Sequence, residues 1–147
     1  MKELLVILTS ASPISELRGG IPLALYFGYP PLEAYLLAVF GNMVPVPIIL
    51  FVLNRIEKLI EVMPIVGKIY VKCVSLAEKR KGVVEKYGYL GLTFFVSIPL
   101  PVTGAWTGTL IAFLLKMNPF KAVIFIYLGI LIAGAIVLTL SLTPTVI

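Results

Sequence analysis

The sequence predicts an all-α integral membrane protein. It reads as an inverted repeat of a re-entrant helical hairpin plus a transmembrane helix, with an amphipathic cytoplasmic linker between the copies. Three observations lead there. Hydrophobic residues make up 60% of the 147-residue chain, mean hydropathy is +1.08, and only 13% of residues are charged; a soluble domain carries about a quarter. A water-soluble fold of this size cannot hide that much apolar surface. Twelve of the 19 charges (12 basic plus 7 acidic) crowd into residues 55–86, leaving 34–54, 87–115 and 122–147 uncharged. The chain also matches itself without gaps at an offset of 88.

The composition excludes several functions. There is no His and no Asp, and Cys73 is the one cysteine. A zinc site, a Ser–His–Asp triad, a Cys–His pair and an intrachain disulfide are therefore ruled out. No Walker-type glycine loop is present, so nothing points to ATP, and no cofactor is expected. One Glu and some hydroxyls are too thin a constellation for an enzyme. The net charge of +5 fits membrane orientation better than nucleic-acid binding. The N-terminus, MKELLVILTS, has no cleavage-site pattern and reads as mature structure rather than a signal peptide.

The whole chain, 1–147, is expected to form a single membrane domain. Repeat 1 covers 1–54. Its hairpin, 4–27, has two apolar arms (4–14 and 21–27) joined by Ser15, Glu16, Leu17, Arg18, Gly19 and Gly20. Each arm covers about half a bilayer at 1.5 Å per residue. Pro22 is expected near the start of the second arm, where a helix needs no N–H. The span 32–54 follows, interrupted by Gly41-Asn42 and by Pro45 and Pro47, which free backbone carbonyls. Residues 55–87 form the linker. Its apolar positions Leu59, Ile60, Met63, Val66, Ile69, Tyr70 and Cys73 have helical spacing, with Pro64 and Gly67 as a break. Repeat 2 is 88–147, with hairpin 88–115 turning at Pro99-Leu100-Pro101 and span 120–143.

The offset of 88 pairs Pro13 with Pro101, Gly20 with Gly108, Pro31 with Pro119 and Gly41 with Gly129. Transporters are often built this way, with the site where broken helices meet. If each hairpin is re-entrant, one crossing separates the copies and they are inverted. The basic residues of 55–86, with Lys116 and Lys121, then lie in the cytoplasm and both termini lie outside. Four full spans would instead place both termini inside.

The candidate site residues cluster at the two tips. Glu16 and Arg18 sit deep in the membrane, where an unpaired charge costs about 2.5–3.5 kcal/mol or more. They hold an anion and a proton, or they pair and pin the hairpin. Gly19 and Gly20 would let the backbone turn back. On the second tip stand Thr103, Gly104, Trp106 and Thr107, and the repeat sets Glu16 on Gly104 and Arg18 on Trp106. The site is therefore asymmetric. Trp106 stacks on a substrate, caps the tip, or sits at the interface. Asn42, inside a span, needs a partner. The expected partners are membrane lipids, a small amphipathic or lipid-phosphate substrate, and a second copy in a homodimer; no nucleic acid is expected.

At ELRGGIPLA, GNMVPVP and PVTGAWTGTLIA the chain resembles the small multidrug export protein family, over nearly its whole length. That resemblance implies export of drugs or other amphipathic compounds. More distantly, the two-hairpin plan is similar to the DedA or VTT superfamily. This implies lipid translocation, with Glu16 and Arg18 matching the acidic and basic hairpin residues. The second hairpin departs from that pattern, carrying Thr103, Gly104 and Trp106 where an Arg is usual. The function expected is ion-coupled export or translocation of an amphipathic or anionic lipid-like molecule between the tips. Export of lipophilic cations by Glu16 and Trp106, or a non-transporting scaffold, are the alternatives.

Overall fold

The computed structural model describes residues 1–56, 64–100 and 103–143. The expected linker positions Leu59, Ile60 and Met63, the turn residue Pro101, and the side chains of Val66, Ile69, Tyr70 and Cys73 lie outside the described residues. The described residues form eight helices and no strand: α1 (Lys2–Ala11), α2 (Glu16–Tyr26), α3 (Pro31–Met43), α4 (Pro45–Ile56), α5 (Pro64–Arg80), α6 (Gly82–Ser97), α7 (Ala105–Leu114) and α8 (Pro119–Leu142).

Val44 keeps helical angles (φ −58°, ψ −45°), so α3 and α4 are one continuous rod. This rod, Pro31–Arg55, and α8 are 25 and 24 residues long and apolar enough to cross a membrane; about 20 residues suffice. Only 39% and 33% of their most apolar windows are buried. Their outer faces are apolar too, unlike those of a core helix in a soluble protein. Leu36, Phe40 and Ile48 are exposed on one rod, and Ile124, Leu128 and Ile136, each 88 residues further on, are exposed on the other.

The shorter helices pack beside these rods. The Lys2 ammonium lies 5.7 Å from the Phe27 ring centre, and Ser10 meets Gly20. α1 and α2 are therefore antiparallel, turning at residues 12–15. The expected turn glycines lie elsewhere: Gly19, Gly20 and Pro22 are inside α2. Here the glycines serve close packing, since a Cβ on Gly20 would fall 1.7 Å from Ser10 Oγ.

α1 runs parallel to α3. At one end Tyr29 donates to the Glu3 carboxylate. That bond holds Glu3 down to about 2 and pushes Tyr29 up to about 12. Further along, Ile7 and Ser10 touch Gly41. The α1–α2 turn thus lies near the level of Gly41, ten residues or about 15 Å into the rod. α6 and α8 repeat the pattern. Tyr89 stacks on Phe125 at 5.3 Å, Thr93 Oγ1 donates to Phe125 O at 2.7 Å, and Val96 meets Gly129.

The turns into the two rods match bond for bond. Gly28 and Tyr29 donate to Leu25 O and Ala24 O (3.0 and 3.1 Å); 88 residues on, Lys116 and Met117 donate to Phe113 O and Ala112 O (3.1 and 3.0 Å). Both are Schellman caps. Each pivots on a positive φ, +90° at Gly28 and +53° at Lys116.

Two tyrosines join the rods. Tyr35 donates to Leu131 O at 2.8 Å, and Tyr127 donates to Met43 O at 3.0 Å. Contacts that rise along α3 fall along α8, the order of an antiparallel pair. Pro47 cannot donate to Met43 O, and Tyr127 fills that place. The expected free carbonyl at Met43 is therefore taken.

The linker is more integrated than its periodicity implies. Gly67 continues α5 rather than breaking it, and α5 packs on α7 with Ala77 fully buried. Lys81 bridges Glu78 and Glu85 (3.1 and 3.0 Å) between α5 and α6. The boundary expected at residue 88 is a kink, where Gly88 takes φ +64° and ψ −136° inside α6.

The close approaches make a testable contrast. A Cβ on Gly41 would lie 2.6 Å from the Ile7 carbonyl oxygen, whereas Gly82 has nothing within 4 Å. Gly41→Ala is expected to destabilise by about 2 kcal/mol, and Gly82→Ala to be neutral or stabilising by about 0.5 kcal/mol. Detergent unfolding followed by circular dichroism reads both. Equal effects would mean that α1 does not press on α3 at Gly41.

Candidate functional site

The two hairpin tips meet. α7 begins after Gly104, which has no side chain to cap the free N–H groups of the first turn. The cap comes from the other hairpin. Glu16 Oε1 accepts from the Trp106 N–H at 3.2 Å. A negative group is favoured there by the helix dipole. The indole Nε1–H of Trp106 donates in turn to Ala11 O at 2.9 Å. Trp106 therefore ties the tips together; of the roles open to it, capping is the one its hydrogen bonds display.

Gly104 is the floor on which Glu16 rests. A Cβ on Gly104 would lie 1.5 Å from Glu16 Oε2. Positions 16 and 104 are repeat equivalents, and the side chain of one fills the space of the other. Glu16 also holds a left-handed backbone, φ +48°, a conformation that costs a non-glycine residue about 1–3 kcal/mol.

Arg18 stands beside this seat, half-buried. It does not pair with Glu16: among the described residues the salt bridges are those of the N-terminus with Glu3 and of Lys81. Its guanidinium donates to Ile14 O at 3.0 Å, one turn back. Five donors are available on an arginine. No Glu16–Arg18 salt bridge is formed among the described residues.

The other expected site residues separate. Thr103 Oγ1 donates within its own tip, to Ile98 O (2.7 Å) and Leu100 O (2.9 Å), and accepts from Leu100 N–H at 3.2 Å. Its hydroxyl braces the turn. Thr107 is buried in α7. Gly19 and Gly20 pack α2 on the side chains of α1 and the tip, near Thr9, Ser10 and Ser15.

Asn42 behaves differently. It is 2% exposed, and among the described residues its Oδ1 has no hydrogen-bond partner; the same holds for Ser10 Oγ on α1. Each unpaired buried group costs about 1–3 kcal/mol. Sequence reading finds Asn42 by its place in a span, but Ser10 looks like any serine near a helix end. Among the described residues, no group of three His, Cys, Asp or Glu could hold a metal ion.

Comparison with known proteins gives one match. A family described, provisionally, as small multi-drug export protein covers residues 16–136. No curated protein and no solved structure matches.

The seating of Glu16 on Gly104 yields a coupling prediction. Glu16→Ala is expected to cost about 1 kcal/mol, as for a lost cap. Gly104→Ala is expected to cost about 2 kcal/mol, because its Cβ evicts the carboxylate. In the double variant the second cost largely disappears, a non-additivity that a double-mutant cycle detects. Additive costs would separate the two residues.

Proposed function

We propose a function from one premise: the chain belongs to the small multi-drug export protein family. It is an ion-coupled membrane exporter that moves an amphipathic or anionic lipid-like molecule past the joined tips. The observation that carries the reading is the bond from the Trp106 N–H to Glu16. It makes one carboxylate both the seal between two hairpins and the occupant of an anion site.

The membrane placement follows the same contacts. A turn about 15 Å into a rod lies near the middle of a hydrocarbon core about 30 Å thick. That depth supports reading each hairpin as re-entrant. The antiparallel order of α3 and α8 supports reading the two copies as inverted, entering from opposite faces. The basic residues of 55–86 then lie in the cytoplasm with Lys116 and Lys121.

In this reading Glu16 seals the closed state. Protonation removes the charge that the first turn of α7 holds, and the tips part. The freed N–H groups and Arg18 then face the anionic head group of the cargo together. Loss of the proton restores the seal behind it. The family description favours a drug as cargo, so a lipophilic cation held by Glu16 and Trp106 is the competing reading. The engagement of the Glu16 carboxylate and of both Trp106 N–H groups favours the anion.

Trp106, the only tryptophan, reports on this. Purified protein is titrated with a polyprenyl phosphate and with a quaternary ammonium while its fluorescence is followed. A saturable response to the phosphate is expected, weakened at least about tenfold in Arg18→Gln, or about 1.4 kcal/mol. In proteoliposomes, Glu16→Gln is expected to flatten the pH dependence of transport with helix content unchanged. A response to the cation alone, lost in Glu16→Gln, would reassign the cargo. Silence to both would refute a binding site at the tips.

A further inference from the structure

We infer that the first repeat carries a binding site for a dehydrated monovalent cation, sodium by size and chemistry. Its oxygens are Ser10 Oγ, Asn42 Oδ1 and the Gly41 carbonyl. It lies apart from the Glu16 seat, between α1 and α3.

The two copies of the repeat provide an internal control. In the first, Ser10 wedges against Gly20 and Gly41, 1.7 and 3.0 Å from where their Cβ atoms would stand. In the second, Val96 wedges against Gly108 and Gly129 at 2.5 and 2.7 Å. Gly108 and Gly129 are Gly20 and Gly41 displaced by 88. Likewise Asn42 corresponds to Ile130, which is fully buried. The same crossing of three helices is thus built once from hydrocarbon alone and once with two polar side chains. Packing does not require the polar pair.

Among the described residues neither polar atom has a partner, and Ser10 and Asn42 are 0% and 2% exposed. A third oxygen belongs to Gly41, the residue before Asn42 and the one that Ser10 presses against. The Gly41 carbonyl would ordinarily accept from residue 45, but residue 45 is proline and has no N–H. Met43 O, freed in the same way by Pro47, has Tyr127 as its donor.

The chemistry of the set selects the ligand. All three are hard oxygen donors, which suit alkali and alkaline-earth ions and not softer metals. All three are neutral. A divalent ion is ordinarily held by carboxylates, and the nearby acid, Glu16, is committed to α7. A single positive charge on neutral oxygens is what remains. If the export reading is correct, sodium acts here beside the proton on Glu16; binding itself does not depend on that reading.

The test follows Trp106 emission and thermal unfolding of purified protein while NaCl replaces choline chloride at constant ionic strength. Trp106 is a suitable reporter because its indole is bonded to Ala11, the residue after Ser10. A saturable change and a rise in Tm of roughly 2–4 °C are expected with sodium, and neither with choline. Ser10→Val with Asn42→Ile copies the second repeat and is expected to fold, to lose both responses, and to be more stable in choline. Ser10→Ala, which adds no bulk, checks the result if the double variant fails to fold; it too is expected to lose the sodium response. Arg18→Gln, which disables head-group binding, keeps the sodium response, so failure of this site and failure of the export reading are distinguishable. Absence of a sodium-specific response in the unmodified protein, or its survival in the folded variants, overturns the site.

Discussion

A helix that starts inside a protein presents its first N–H groups to whatever lies ahead of it, and in apolar surroundings they must find acceptors. α7 starts in such a place, and Gly104 offers it nothing. The Glu16 carboxylate answers that demand from the opposite hairpin. Much of the central geometry follows from this interaction. Glu16 has to enter α2 with a left-handed backbone to aim its side chain. Gly104 has to lack a Cβ to leave room. Trp106 can then bring its indole onto Ala11 and fix the tips side by side.

Around that centre the chain solves one packing problem twice. Glycines at 20 and 41, and again at 108 and 129, let one short helix press a side chain onto its neighbouring short helix and onto a long rod at once. Such contact is the main source of helix association where no water drives it. The long rods are joined by tyrosine hydroxyls to backbone carbonyls, and the two acceptors, Met43 and Leu131, are themselves 88 residues apart. Proline in α4 opens one of those carbonyls. The proline and the joint are therefore one device.

Much of this was legible in the sequence, for physical reasons. Long uncharged runs mark the rods, because a span tolerates few charges. The offset of 88 pairs Pro31 with Pro119, and these two prolines begin the two rods. The meeting of the tips followed from matching Glu16 to Gly104. Other features were hidden. Gly19 and Gly20 carry a turn signal yet lie within α2, because glycine serves close approach as readily as reversal. Thr103 spends its hydroxyl on its own turn, a choice of rotamer that composition does not reveal. Ser10 gains meaning only against Gly41, the neighbour of Asn42, and that contact between helices depends on the tertiary fold. The packing of α5 on α7 is equally non-local.

The occupancy of one small space by either Glu16 or a side chain at 104, never both, bears on descent. Two separate, identical half-length chains could not build this centre. With glutamate at the shared position in each, two carboxylates would contend for one seat. With glycine in each, both helix starts would go uncapped. Within one chain that carries both halves, the shared position can differ, charged in one copy and bare in the other. The asymmetry at the heart of this protein is therefore available to a fused gene and closed to an assembly of equal halves.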